Sequence, residues 1–130
     1  WEPLSVKQQD IHLQGHAMEC RINAEDPAHH FRPCPGVIET IHLPGGNGVR
    51  IDTAAYNGYE IPPFYDSMIA KVIVHGRTRQ EAIDKMRSTL GELIIDGVTT
   101  NVDFQYEILD NEDFQAGEIT TDFIPMHFNL

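Results

Sequence analysis

The stretch GHAMECRINAEDP at residues 15–27 decides how the chain is read. Met18, Cys20, Ile22 and Ala24 are apolar at alternate positions, and Glu19, Arg21 and Asn23 stand between them. A period of two predicts a strand with one buried face, because successive side chains leave opposite sides of a pleated backbone. One face makes core; the other presents an acid, a guanidinium and an amide in a row. Arg21 stands in the middle, with hydrogen-bonding groups at i−2 and i+2. The pattern suits a solvated surface arginine, or one held to meet a planar anion with two donors in one plane.

Upstream, residues 1–14 hold Pro3 and many polar groups, with Ile11 and Leu13 the only suggestion of a strand. They lack the basic start and apolar centre of a signal peptide and read as the tail of a preceding module, so the domain proper is taken as residues 15–130. Downstream, Glu25, Asp26 and Pro27 end the alternation, and residues 28–36 form a loop punctuated by Pro33, Pro35 and Gly36. Val37 to Leu43 and Val49 to Asp52 predict two more strands, and the glycines of Pro44-Gly45-Gly46-Asn47-Gly48 predict a hairpin between them. No Gly-Lys-Ser/Thr follows these glycines, so a turn is read there and not a phosphate loop.

Residues 56–65 are aromatic and irregular, with Pro62-Pro63 excluding helix, and they lead to Asp66. Met68 to Val74 is apolar except for Lys71, which predicts a central strand buried on most of both faces. Lys71 either points toward a site or lays its stem on the sheet. Thr78 with Glu81 spells a capping box, and Ala82, Ile83, Met86, Leu90 and Leu93 recur at helical spacing. The longest helix is expected here, ending at Gly97 after Asp96. Thr100 and Asp103 predict the start of a second helix carrying Val102, Phe104, Ile108 and Leu109, with short helical turns near 112–116 and 122–127.

With 130 residues the chain fits one domain that needs neither disulfides nor a structural metal. Its net charge of −11 argues against nucleic-acid binding, which needs a basic footprint. All nine Lys and Arg residues lie at or before Arg87, and only carboxylates follow among the fully charged side chains. That leaves an acidic C-terminal face, either solvated or meeting a basic partner. No apolar run approaches the length that spans a bilayer. Cys20 and Cys34 read as free cytosolic thiols, and the histidines show no spacing that gathers a metal. Neither a nucleophilic triad nor a phosphate loop can be assembled, so the chain alone is expected to catalyse nothing.

GHAMECRINAEDP resembles the opening of the C-terminal domain of biotin carboxylase. Three further stretches resemble it in the same order: PGGNGVR at 44–50, IPPFYDSMIAKVIVHGRTRQEA at 61–82 and LIIDGVTTN at 93–101. The resemblance implies an α+β fold on an antiparallel sheet, half-barrel or sandwich-like, with one long helix and shorter C-terminal helices packed on it. It implies that residues 1–14 end an ATP-grasp region whose domains hold ATP and Mg2+, with none of the ligands bound by this piece alone. Members of the family phosphorylate bicarbonate with ATP and carboxylate the ureido nitrogen of biotin on its carrier protein. By the same resemblance, Arg21 is the arginine of the ECR motif that contacts bicarbonate and the ureido oxygen. Glu19, Asn23 and Asp66 are expected to orient it, with a turn cap as the other reading of Asp66. Thr121, in the GEITTDF segment, is expected at the nucleotide pocket. Asn47, standing where an aromatic residue is usual, and Arg50 are expected at a homodimer interface. The wording of the motifs favours the cytoplasmic biotin carboxylase subunit of a bacterial acetyl-CoA carboxylase, serving fatty-acid synthesis. Pyruvate and propionyl-CoA carboxylases share the domain, and a non-catalytic module for dimerisation or lid support stays open.

Overall fold

The computed structural model describes residues 1–64 and 66–129. Along the chain come β1 (His16–Asn23), β2 (Glu25–Asp26), β3 (Arg32–Pro33), β4 (Gly36–Val37), β5 (Thr40–His42), β6 (Val49–Thr53), β7 (Glu60–Ile61) and β8 (Met68–Gly76). Then follow α1 (Arg79–Glu92), β9 (Ile94–Asp96), α2 (Val102–Asp110), α3 (Glu112–Ala116) and α4 (Phe123–His127). Every ladder is antiparallel, so the α+β class expected from the sequence is what the chain adopts. The main sheet has the order β1-β8-β6, and three two-stranded ladders, β2-β3, β4-β7 and β5-β9, flank it.

The alternation in β1 does what its period requires. Cys20 and Ile22 are buried, as is Ala24 just beyond, and they share a core with Val72 and Val74 of β8 and Ala82, Ile83, Met86 and Leu90 of α1. Ile22, Val72, Val74, Ile83 and Met86 are fully buried. Each side chain of this kind contributes roughly 1.5–3 kcal/mol by leaving water, so α1 is held mainly by its apolar stripe. Strand β8 is central, as expected, but only its inner face is fully dry: Ala70, Val72 and Val74 are buried while Lys71 and Ile73 are half-exposed and His75 exposed. The apolar letter of Ile73 hid an alternation, while Ile69 on the same outer face is buried.

Long-range pairing overrode three local expectations. Val37 to Leu43 is not one strand but two, because Val37 pairs with Glu60 while Thr40–His42 pairs with Ile94–Asp96. The glycine loop at 44–48 therefore makes no hairpin: β5 goes to β9 and β6 to β8. Gly48 is needed there for another reason. Its φ is +73°, and a Cβ would lie 2.6 Å from the His75 carbonyl oxygen. The long helix stops at Glu92, not at Gly97, since residues 94–96 extend to pair with β5. Gly97, at φ +99°, then turns the chain where a Cβ would collide with the Val37 carbonyl. Ile11 and Leu13 lie outside any strand, and the N-terminal stretch carries only a 3-10 turn at Gln8–Asp10.

Helix starts follow the sequence more closely. Thr78 Oγ1 accepts from the Glu81 amide at 3.1 Å, while the Glu81 carboxylate reaches past the cap to the Arg77 amide at 3.1 Å, so half of the capping box is made. Asn111 caps α3 by accepting from the Asp113 and Phe114 amides, and Gly117 ends it in the left-handed region. Among the described residues no helix is long and apolar enough to cross a membrane.

Candidate functional site

Residues directly opposite one another on antiparallel strands share a face. Arg21 on β1 is opposite Lys71 on β8, which is opposite Asp52 on β6; Glu19, Ile73 and Arg50 form the neighbouring row. The face turned away from the core thus gathers Glu19, Arg21, Lys71, Arg50 and Asp52, three cations among two carboxylates. Arg21 donates through Nε to Glu19 Oε1 at 3.1 Å, and its side chain keeps 67% of its exposure. Among the described residues neither Nη group has a protein acceptor. Glu19 therefore fixes one edge of the guanidinium and leaves the end that is suited to a planar anion open to solvent.

The other expected partners are not all brought to Arg21. Asn23 turns its amide to Glu25 Oε2 at 3.4 Å, and Glu25 Oε1 accepts from Ser67 Oγ at 2.6 Å. Asp66 accepts from the Met68 amide at 3.0 Å, which is the turn cap at the entrance to β8. Lys71 lies between Arg21 and Asp52, half-exposed, and adds positive charge to the face.

Arg50 meets Asp52 with Nε and one Nη, both at 2.8 Å. Those bonds hold the Asp52 carboxyl below the usual carboxylate range, and the charge of Lys71 acts the same way. Asn47 is exposed in the glycine loop just before β6. Thr121 is exposed in the turn before α4. Burial, aided by the charge of Glu19, pushes the Cys20 thiol up to about 12, so it stays protonated within the core. Among the described residues no three or more His, Cys, Asp or Glu side chains gather to hold a metal ion.

Two residues that the sequence reading passed over act on β1 directly. Asn101 is 5% exposed, a rare burial for an amide, and its Oδ1 accepts from the Asn23 amide at 2.9 Å while Nδ2 donates to the Arg21 carbonyl at 3.1 Å. Gln105 Nε2 reaches the same carbonyl at 3.3 Å. The available signal was LIIDGVTTN ending on an Asn just before an apolar helix, which reads as an ordinary cap. A separate cleft of about 500 Å³ opens between the 26–28 turn, α2 and the end of α4, lined among others by Asp26, Asp103, Phe104, Glu107 and His127. None of the residues around Arg21 reaches it.

The chain matches the family described as the biotin carboxylase C-terminal domain over residues 19–126. It is 53% identical to biotin carboxylase 1 of Bacillus subtilis over 121 residues, which is 93% of this chain and 27% of that protein. It is 54% identical to a pyruvate carboxylase subunit of Methanothermobacter thermautotrophicus over 123 residues, 95% of this chain and 25% of that one. Among solved structures, the biotin carboxylase domain dimer of Hydrogenobacter thermophilus 2-oxoglutarate carboxylase, in complex with MgADP, ADP and bicarbonate, superposes with a TM-score of 0.95 at 44% identity. The overlap takes in 97% of this chain and 28% of that one. The chain thus spans about a quarter of the length of its relatives. A family match over most of the sequence, agreeing with the fold and with the motif that carries Arg21, places the chain in the biotin carboxylase C-terminal domain family.

Proposed function

We propose that this chain is the C-terminal domain of an ATP-dependent biotin carboxylase and that Arg21 is its contribution to the reacting groups. The observation that carries the reading is a guanidinium fixed at Nε by Glu19 with both Nη groups open. ATP with Mg2+, held by N-terminal and ATP-grasp domains of the same chain that residues 1–14 follow, supplies the activation of bicarbonate. The residues here fit the anions of that chemistry, because Arg21 and Lys71 sit side by side on an outward face. When the ureido nitrogen of biotin loses its proton, negative charge grows on the ureido oxygen. A guanidinium stays charged at any working pH, and that of Arg21 offers two coplanar donors to that oxygen or to bicarbonate. Lysine, a single point charge, would replace it poorly.

The biotin is that of a carrier protein, and the full-length enzyme is a cytoplasmic homodimer with Asn47 and Arg50 at its interface. The motif wording supports the acetyl-CoA carboxylase subunit of fatty-acid synthesis. The 54% identity to a pyruvate carboxylase subunit supports a second reading with the same half-reaction and a different acyl acceptor. Thr121 is assigned, on the resemblance of GEITTDF alone, to the nucleotide pocket. The test is Arg21→Gln in the full-length protein. Loss of a charged donor at a desolvated reacting oxygen should cost about 3 kcal/mol of barrier, roughly a hundredfold in biotin carboxylation, with nucleotide affinity unchanged. Normal carboxylation by the folded variant would remove Arg21 from the site.

A further inference from the structure

Asn101 occupies the N-cap position of α2, yet its side chain makes no cap hydrogen bond. It is spent elsewhere. β1 is an edge strand, and the Arg21 carbonyl and Asn23 amide point off its free edge, away from β8. The Asn101 amide meets both, one on each side of Ile22, as a neighbouring strand would. The Asn101 backbone amide adds a third bond, to the Asn23 carbonyl at 3.1 Å. This happens at an irregularity in the ladder: the pairing with β8 shifts register between Ile22 and Asn23 and continues to Met68. At that irregularity the β8 ladder holds residues 21–23 from one side, and on the open edge the bonds from Asn101 and Gln105 hold them from the other. The Arg21 side chain inherits its direction from that backbone, and Glu19 restrains only its Nε.

We propose that Asn101, assisted by Gln105, is the positioning residue for Arg21: a buried side-chain amide that stands in for the missing strand and aims the guanidinium. The inference rests on the assignment of Arg21 above, but its first test does not. In the full-length protein, Asn101→Ser removes both side-chain bonds, and Gln105→Ala removes only the second donor to Arg21, from a helix surface where folding is safe. Hydrogen exchange at the Asn23 amide should quicken at least tenfold in Asn101→Ser, with the core of β8 unchanged; unaltered protection would overturn the clamp whatever Arg21 does.

The second test is kinetic. Asn101→Ser should lower biotin carboxylation about tenfold and Gln105→Ala about twofold, both without a change in KM for ATP. In an Arg21→Gln background the tenfold effect should shrink to within twofold and the twofold effect should vanish, because a residue that acts through Arg21 has nothing left to aim. Equal effects in both backgrounds would make Asn101 merely structural and overturn the proposal. If Arg21→Gln alone were silent, the assignment of Arg21 would fall, while the exchange result would still decide whether Asn101 fixes the strand. Should Asn101→Ser fail to fold, Gln105→Ala carries the kinetic test by itself, and no twofold loss there would count against the clamp.

Discussion

Two arginines on one sheet face carry the same local grammar and reach opposite ends. Arg21 has a carboxylate two residues before it on β1, and Arg50 has one two residues after it on β6. Glu19 takes Arg21 by one nitrogen at 3.1 Å; Asp52 takes Arg50 by two at 2.8 Å. Both are well exposed, at 67% and 72%. Exposure therefore does not separate the two arginines. Free donors do: a monodentate tie leaves a fork that can still close on an anion, and a bidentate tie spends it.

The comparison is broken most sharply by Arg21→Gln, the largest effect expected, at about a hundredfold in biotin carboxylation. Arg50→Gln should leave that rate alone. Next comes the interface. In the full-length protein Arg50→Glu sets two carboxylates side by side with Asp52 and should weaken dimerisation about tenfold, some 1.4 kcal/mol, while lowering Tm little. An unchanged sedimentation profile at low concentration would take Arg50 out of the interface. Smaller still is Glu19→Gln, which keeps an acceptor for Arg21 but removes its charge. An exposed pair is worth up to about 1 kcal/mol, so the loss in carboxylation should stay within about fivefold. If Glu19→Gln matched Arg21→Gln, the carboxylate would have to touch the reacting groups itself.

How far the sequence could be read follows from what each signal depends on. β1, β8, α1 and the short C-terminal helices were legible because period and caps are local: the buried face of Cys20 and Ile22, Thr78 at its cap. The hairpin at 44–48 and the helix end at Gly97 were misread for one reason. Residues 94–96 pair with Thr40–His42, some 50 positions away, and no window of sequence contains that ladder. The site divided the same way. Arg21 and Glu19 are neighbours on one strand and could be paired by eye. Asn101 meets Arg21 across 80 residues while sitting where a helix cap belongs, so its apparent local role concealed its actual one. Asn23 was given to Arg21 by spacing, but in space its amide donates to Glu25, which Ser67 holds in turn.

A third ion pair extends the comparison, because there the cation can be removed by pH. His127 places Nδ1 2.9 Å from the Phe123 carbonyl and Nε2 2.8 Å from Asp113, while its ring stacks on Phe123. Both partners only accept, so both nitrogens must donate, which the imidazolium alone can do. The hydrogen bond to Asp113, and then the one to Phe123, raise the His127 pKa above its ordinary 6.5. A folded-state value above the unfolded one means that the pair's contribution is complete below the unfolded value. It disappears as pH rises through the folded one. The effect should be the smallest of the four, since α4 has five residues and Asp113 is half-exposed. Parent and His127→Gln, melted side by side from about pH 5 to about pH 9, should differ most at the acid end and converge toward the alkaline end. A gap that widened with pH would mean that the neutral ring is the stabilising form, and the two-donor geometry would be wrong.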